Sequence, residues 1–275
     1  MTLPTYPADA QPPLPTTPPP TFAAVAPDLT VGRLVSRSFS VWWSNLFKFG
    51  ALTLLVFVPA MGLVGVVAYM SFASLPGMGG GARLGASALM MVAVLPVMLA
   101  MAAVQMGSLT YGAVQHLAGR PVRFGAMLSA GFRRLLPLIG ACLVSYLVVM
   151  AGSLLLIVPG LFFGCAVTVA IPAVVIERTG PIDAIRRSWE LTRGYRFTIC
   201  GAWFALGAVL FGANLMLQLP MMLFGKIVGP LAALALVPLY FLLVSLPILL
   251  PAVTYHELRA AKEGVAIEEL VKVFE

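Results

Sequence analysis

The chain contains few charged residues: 17 Lys and Arg and 10 Asp and Glu make up 10% of its 275 residues. Because a soluble domain carries about 25% charged residues, a water-soluble globular core is excluded. The chain also has only two histidines and three cysteines. Cys142, Cys165 and Cys200 lie far apart in apolar runs, with no CxxC pair or Cys/His cluster. They therefore predict small buried apolar side chains rather than a metal or redox centre.

Catalytic motifs are absent from the sequence as well. It contains no HExxH, no GxxxxGKS/T and no paired carboxylates within an apolar run. His116 and His256 stand alone at the ends of apolar runs, where a histidine is usually solvated. No Asp, Glu, Lys or Arg lies in the centres of these runs, whereas an ion-coupled carrier normally has an ionisable residue there. We therefore predict a protein without enzymatic activity, cofactor or metal.

Six long apolar runs account for most of the chain. They cover residues 47–72, 86–112, 135–157, 160–177, 197–224 and 229–256. Most reach the ~20 residues that a helix needs to cross ~30 Å of hydrocarbon, and the fourth is short, at about 18. The predicted fold class is all-α, a polytopic membrane helical bundle of six transmembrane helices.

Basic residues are confined to the links at one side of these runs. All Lys and Arg except Arg83 and Lys226 fall before residue 50, in 120–134, in 178–196 or after 258. The other links are short and nearly uncharged, at Gly77–Gly85, Pro159–Gly160 and Gly225–Gly229. By the positive-inside rule, the basic links and both termini are predicted to be cytoplasmic.

Each basic link also has the pattern of an interfacial amphipathic helix, at 30–45, 122–134 and 181–194. In the third segment, Pro181 suits the first helical position and Gly194 the end. An apolar stripe at helical spacing is formed there by Ile182, Ile185 and Trp189. The four-residue spacing in this segment predicts the ion pairs Asp183–Arg187 and Arg186–Glu190.

The three segments can be aligned with one another. GRLVSRSF at 32–39, GAMLSAGF at 125–132 and IDAIRRSW at 182–189 each precede an apolar hairpin. The alignment predicts a threefold repeat of one interfacial helix and two spans. In the first unit, Trp42 and Trp43 fall where an interfacial aromatic belt is expected.

The partner predicted from this charge distribution is the membrane surface. Basic residues beside apolar spans are attracted to anionic lipid headgroups. A nucleic-acid partner is not predicted, because the sequence has no separate basic face with stacking aromatic residues. A membrane protein partner or a second copy of the chain is the other class of partner. The candidate contact residues are Arg186, Arg187, Trp189, Glu190, Arg193, Arg123, Arg133 and Arg134. The competing interpretation is that these charges only anchor the bundle at the headgroups.

The termini differ from the apolar centre of the chain. Residues 1–27 contain nine prolines, which predicts a disordered tail with polyproline-II character. Residues 28–266 are predicted to form the six-span membrane domain, and 267–275 a short cytoplasmic tail.

A run around the end of the fourth span carries a resemblance to a known family. It reads Pro172-x4-Glu177-x3-Pro181-x2-Ala184-Ile185-x-Arg187-Ser188-x2-Leu191-Thr192-Arg193-Gly194. Residues 107–140, Pro159-Gly160, Tyr255–Arg259 and Lys262–Gly264 agree with it. Together they resemble a bacterial membrane-domain family named for glycerophosphoryl diester phosphodiesterases. The resemblance covers residues 28–266 and implies a multi-pass protein of the bacterial inner membrane. In fused members the enzyme is a separate soluble domain, which we expect this chain to lack, so the resemblance implies no activity.

The sequence therefore predicts a non-enzymatic integral membrane protein, a scaffold or accessory protein that binds lipid or a membrane partner. A small-molecule or lipid transporter is the alternative, and a continuous polar cavity between the spans would favour it. An embedded lipid-modifying enzyme is the third class, and polar side chains clustered at one membrane depth would indicate it.

Overall fold

A computed structural model describes residues 29–73 and 80–263 of the chain. The predicted tails at 1–27 and 267–275 lie outside the described residues. Within the described ranges the backbone is helical with short connections and contains no strand, so the predicted all-α fold is confirmed. The helices are α1 (Val31–Ser44), α2 (Leu46–Ala73), α3 (Gly80–Leu117), α4 (Phe124–Arg133), α5 (Leu135–Leu155), α6 (Ile157–Val167), α7 (Ala170–Ile176), α8 (Pro181–Thr192) and α9 (Arg196–Glu263).

In the part of the chain that the structure describes, six helical segments are long and apolar enough to cross a membrane, which confirms a multi-pass membrane protein. They are Leu46–Met70, Ala88–Leu117, Leu135–Leu155, Ile157–Ile176, Arg196–Leu219 and Leu239–Glu263. The fourth segment consists of α6 and α7 together and is 20 residues long. It and the sixth are the most buried of the six, so they lie at the centre of the bundle. Large apolar side chains such as Leu136, Leu154 and Phe211 are exposed on the other spans.

The three basic links form helices close to their predicted bounds, as α1, α4 and α8. Thr30 precedes α1, and its hydroxyl oxygen accepts a hydrogen bond from the Arg33 backbone N–H at 3.4 Å, which is a helix N-cap. Pro181 occupies the first position of α8 as predicted. Gly194 follows α8 with a φ of 93°, a conformation that glycine adopts without steric cost.

The turn between the third and fourth spans lies slightly earlier than predicted. Leu156 is extended, with φ −170° and ψ 158°, and it separates α5 from α6. Pro159 and Gly160 therefore belong to the first turn of α6, where proline's missing N–H has no intrahelical partner to lose. A Cβ on Gly160 would lie 2.8 Å from Ser153 Cα, so the absence of a side chain lets α5 and α6 approach closely here.

The fifth and sixth spans form one helical run, α9. The sequence predicted that a turn at Gly225–Gly229 would interrupt the helix. This prediction is wrong, because the backbone is helical there. A straight helix of 68 residues would be about 100 Å long. However, the Lys262 ammonium donates to the backbone carbonyl of Arg193 at 2.7 Å, just before α9 begins. The chain therefore reverses its direction within α9, so that its two spans lie side by side.

The basic segments meet at one end of the bundle, which we call the basic end. Arg37 of α1 pairs with Glu257 near the end of α9, and the Asn45 side chain lies 3.0 Å from the His116 ring near the end of α3. After α4, Arg134 donates to the Arg178 carbonyl at 3.4 Å. These contacts tie α1, the end of α4 and the loop before α8 to the adjoining ends of the spans.

Two expectations for individual side chains are wrong. Cys165 and Cys200 form a disulfide between α6 and α9, with their Cα atoms 5.9 Å apart, so they are not separate apolar residues. Trp42 is buried, and its indole N–H donates to the Ser245 hydroxyl at 2.9 Å, so it packs in the bundle rather than at a surface belt. Trp43, its neighbour, is exposed.

Candidate anion-binding cleft at the basic end

A cleft of about 470 Å³ opens at the basic end between α3, α4, α7 and the loop that follows α7. Its lining residues are Tyr111, Ala126, Ser129, Ala130, Arg133, Arg134, Val175 and Arg178. The volume falls within the ~300–1,000 Å³ typical of small-molecule pockets. Among the described residues that line the cleft, three carry guanidiniums and none is acidic, so this part of the cleft suits an anion.

Helix α4 supplies one wall because its lining residues share a face. Ala126, Ser129, Ala130 and Arg133 are spaced by three and four residues, which places them on one side of a helix. The opposite side of α4 packs against α3 through Met127 and Gly131, both buried. A Cβ on Gly131 would lie 2.6 Å from the Val104 carbonyl oxygen, so glycine permits this close approach and fixes where the α4 face points.

Arg178 closes the cleft from the loop between α7 and α8. Its φ is 56°, the left-handed region, which costs a residue with a Cβ roughly 1–2 kcal/mol. Its carbonyl accepts the hydrogen bond from Arg134. Strained backbone of this kind occurs preferentially at functional sites, and here it places a third guanidinium beside Arg133 and Arg134.

An ion-pair network lies beside the cleft and holds α7, α8 and α9 together. Arg187 donates to Glu177 at 3.0 Å and also pairs with Glu263. The Tyr255 hydroxyl donates to the same Glu177 oxygen at 2.6 Å, and Arg259 donates to Glu263 at 2.7 Å. Burial lowers the pKa of Arg187 and its hydrogen bonds to the two glutamates raise it, and the net direction is upward. Arg187 is therefore a charged cross-link between three helices.

The structure places the predicted contact residues in three locations. Arg133 and Arg134 lie in the cleft, whereas Arg186, Arg187, Trp189, Glu190 and Arg193 belong to α8 and its end. Arg123 precedes α4, is exposed and makes no side-chain cap. Arg178 was missed by sequence reasoning, although a basic residue directly after a span was a signal that could have identified it.

The predicted geometry of α8 is only partly correct. Arg187 pairs with Glu177 and Glu263 rather than with Asp183. On the apolar stripe of α8, Ile182 is 73% exposed, whereas the buried residues of the helix are Ala184, Ser188, Leu191 and Thr192. The exposed Trp189 ring lies 4.3 Å from the guanidinium carbon of Arg196, a cation–π contact.

Within residues 29–73 and 80–263, no group of three or more His, Cys, Asp and Glu side chains is placed to hold a metal ion. No family model matches the chain, and no curated protein and no solved structure matches it. Its resemblance to the membrane-domain family named for phosphodiesterases stays a prediction.

Proposed function

We propose that this multi-pass membrane protein is a non-enzymatic scaffold or accessory protein, and that its cleft holds the phosphate of an anionic lipid headgroup. The observation that supports the proposal is the convergence of Arg133, Arg134 and Arg178 on one cleft, with no acidic residue among the described residues that line it. The planar guanidinium group matches the geometry of a phosphate and can bind two of its oxygens at once.

We assign the remaining candidate contact residues to the headgroup layer of the membrane as well. We infer that α1, α4 and α8 are interfacial amphipathic helices, with Arg123, Arg186 and Arg193 among the headgroups. Each such base contributes about 1 kcal/mol near an anionic surface. The exposed side of α8, which bears Trp189 and Glu190, is the surface we assign to a membrane protein partner or a second copy of the chain.

The proposed location is the bacterial inner membrane, with the basic end and both termini cytoplasmic. The Lys and Arg asymmetry supports this orientation, as does the family resemblance. In a variant lacking the native cysteines, a cysteine at Lys226 should react with an impermeant thiol reagent added to intact cells. A cysteine at Thr179 should react only after the cells are opened, and reversed labelling would overturn the orientation.

Lipid retention tests the cleft directly. We expect Arg133→Gln with Arg134→Gln to reduce the ratio of anionic to zwitterionic lipid that co-purifies in mild detergent, measured by native mass spectrometry. Arg123→Gln with Arg186→Gln is the matched control, since it removes two charges from the same end outside the cleft. Equal losses in the two variants would show that surface charge, and not the cleft, determines retention.

A second pair of variants tests occupancy of the cleft without removing any base. Ala130→Glu places a carboxylate within reach of the cleft's guanidiniums and should displace the lipid phosphate, while Gly125→Glu adds the same charge to α4 outside the cleft. A Cβ at Gly125 meets no atom within 4 Å, so the control is tolerated sterically. Unchanged anionic lipid retention in Ala130→Glu would contradict the proposal.

Lipid transport is the alternative favoured by one further observation. A continuous polar cavity was expected of a transporter, but the cavity that the described spans line is mainly apolar, with Phe57, Ile171 and Trp203 among its lining residues. Such a lining favours an apolar occupant over a polar solute, so small-molecule transport of polar compounds has less support than transport of lipid.

A further inference from the structure

Five acidic side chains belong to the described part of the chain, and none of them lines the cleft. Glu177, Glu257 and Glu263 pair with arginines that are not among the cleft's lining residues. Asp183 and Glu190 lie on α8 and are not lining residues either. Residues 29–73 and 80–263 contain no other Asp or Glu. Further carboxylates that could enter the cleft therefore belong to other parts of the chain.

Residues 264–275, which we call the acidic segment, lie outside the described residues and carry an excess of negative charge. Their sequence is GVAIEELVKVFE, with three glutamates and one lysine. Two of the glutamates, Glu268 and Glu269, are adjacent. Apolar residues recur at 267, 270, 271 and 274, which is the spacing of one helix face. The pattern predicts a segment with one apolar side and one acidic side.

The acidic segment begins close to the cleft. Arg187 pairs both with Glu263, the last described residue, and with Glu177, so the two carboxylates meet at a single guanidinium. Arg178, which lines the cleft, directly follows Glu177. The two adjacent glutamates stand five and six residues beyond Glu263. An extended chain of that length spans roughly 17–21 Å, so these glutamates can reach the cleft without any unwinding of α9.

A carboxylate and a phosphate are the same kind of acceptor for a guanidinium. Each offers two oxygens to the paired N–H donors of an arginine, so Arg133 and Arg134 can hold either group. The acidic segment is attached beside the cleft, which raises its local concentration there. Exposed ion pairs are individually weak, so an anionic ligand present in sufficient amount can displace the segment.

We propose that Glu268 and Glu269 dock in the cleft of their own chain and compete there with the anionic lipid headgroup. The competition rests on the headgroup function proposed above, whereas the docking does not. Two exposed ion pairs together change a binding equilibrium by roughly 2- to 30-fold. The acidic segment thus sets the amount of anionic lipid above which a headgroup occupies the cleft.

Cross-linking in detergent tests the docking independently of lipid binding. In a Cys142→Ala background the disulfide stays closed, and its sulfurs do not react with maleimides. A short bismaleimide should then join Leu270→Cys, beside the two glutamates, to Ala130→Cys in the cleft. Gly125→Cys replaces Ala130→Cys in the control, since it lies on α4 outside the described lining, and it should give a lower yield.

Charge removal identifies what holds the acidic segment in place. Glu268→Gln with Glu269→Gln, which we call the segment variant, should lower the cross-linking yield at Ala130→Cys by roughly 2- to 30-fold. An unchanged yield in the segment variant, or equal yields at Ala130→Cys and Gly125→Cys, would overturn the docking. A product of twice the mass of the chain would show that the segment of a second copy enters the cleft, and would overturn docking within one chain.

Lipid retention tests the competition. With phosphatidylglycerol and phosphatidylcholine as probes, native mass spectrometry should show at least about a twofold rise in the anionic-to-zwitterionic ratio in the segment variant. Asp183→Asn with Glu190→Gln removes two charges from α8 and should leave the ratio unchanged; an equal rise there would overturn the competition. In a chain that also carries Arg133→Gln and Arg134→Gln, the segment variant should have no effect. Cross-linking without any change in lipid retention would support the docking and contradict the headgroup function.

Discussion

The contact between α1 and the end of α9 depends on one carboxylate, Glu257. Its side chain is 1% exposed and pairs with Arg33 at 3.1 Å and with Arg37. Replacing it by Gln keeps the shape but leaves two guanidiniums beside a neutral amide. We expect this variant to loosen α1 from the bundle.

The magnitude follows from the two interactions and their exposure. A hydrogen bond to a charged group contributes about 1.5–3 kcal/mol, and removing one partner of a fully buried ion pair costs about 3–5 kcal/mol. The arginine side chains here are 35% and 34% exposed, so solvent screening reduces the loss. We expect Glu257→Gln to lower the free energy of unfolding by about 2–3 kcal/mol. For a chain of this size that is a decrease in melting temperature of roughly 5–10 °C.

The assay is thermal melting in detergent, together with hydrogen exchange of the α1 amides. Arg186→Gln is the control, because Arg186 is exposed on α8 and a surface substitution usually changes stability by less than about 0.5 kcal/mol. In a double-mutant cycle, Arg33→Gln with Arg37→Gln should have little further effect once Glu257 is replaced. A melting temperature of Glu257→Gln within about 1 °C of wild type would refute the reasoning.

Two further predictions concern cross-links at the basic end and between the spans. Arg187→Gln should lower the free energy of unfolding by about 1–2 kcal/mol, since it leaves Glu177 and Glu263 without their shared partner. The control Arg186→Gln should not lower it. Equal melting temperatures of the two variants would contradict the ion-pair network. Replacing Cys165 and Cys200 by Ser removes the cross-link that closes a 35-residue loop. We expect the free energy of unfolding to fall by about 4 kcal/mol, because the unfolded chain regains the entropy of that loop. Before reduction, mass spectrometry of the denatured wild-type protein should find one alkylated cysteine, and after reduction three; three before reduction would exclude the disulfide.

The sequence predicted the local elements well because each has a local physical cause. Apolar length predicted the six spans, and helical periodicity with start and stop signals predicted α8 as 181–194 against the observed Pro181–Thr192. Pro181 and Gly194 act through their own backbone geometry. No knowledge of neighbouring helices was therefore required.

Contacts between distant residues could not be predicted in the same way. Cys165 and Cys200 lie 35 residues apart, and only the packing of α6 on α9 brings them together. Glu177 and Glu263 compete with Asp183 for Arg187, and a sequence pattern shows only the partner within the helix. The cleft depends on Arg178, whose left-handed backbone is set by the link between α7 and α8.

The three aligned octets share a burial pattern that their low sequence identity conceals. Their third and seventh residues are buried in every unit: Leu34 and Ser38, Met127 and Gly131, Ala184 and Ser188. Their eighth residues are aromatic and exposed: Phe39, Phe132 and Trp189. Positions three and seven lie on one side of a helix, so each unit packs by the same face, as a threefold repeat requires.

The sixth position of the three octets differs, however. Arg37 and Arg187 form ion pairs with glutamates of neighbouring helices, whereas Ala130 in the middle unit lines the cleft. The cleft thus occupies the place that an arginine–glutamate pair fills in the outer units, and its own arginines come from the end of α4 and from the loop after α7.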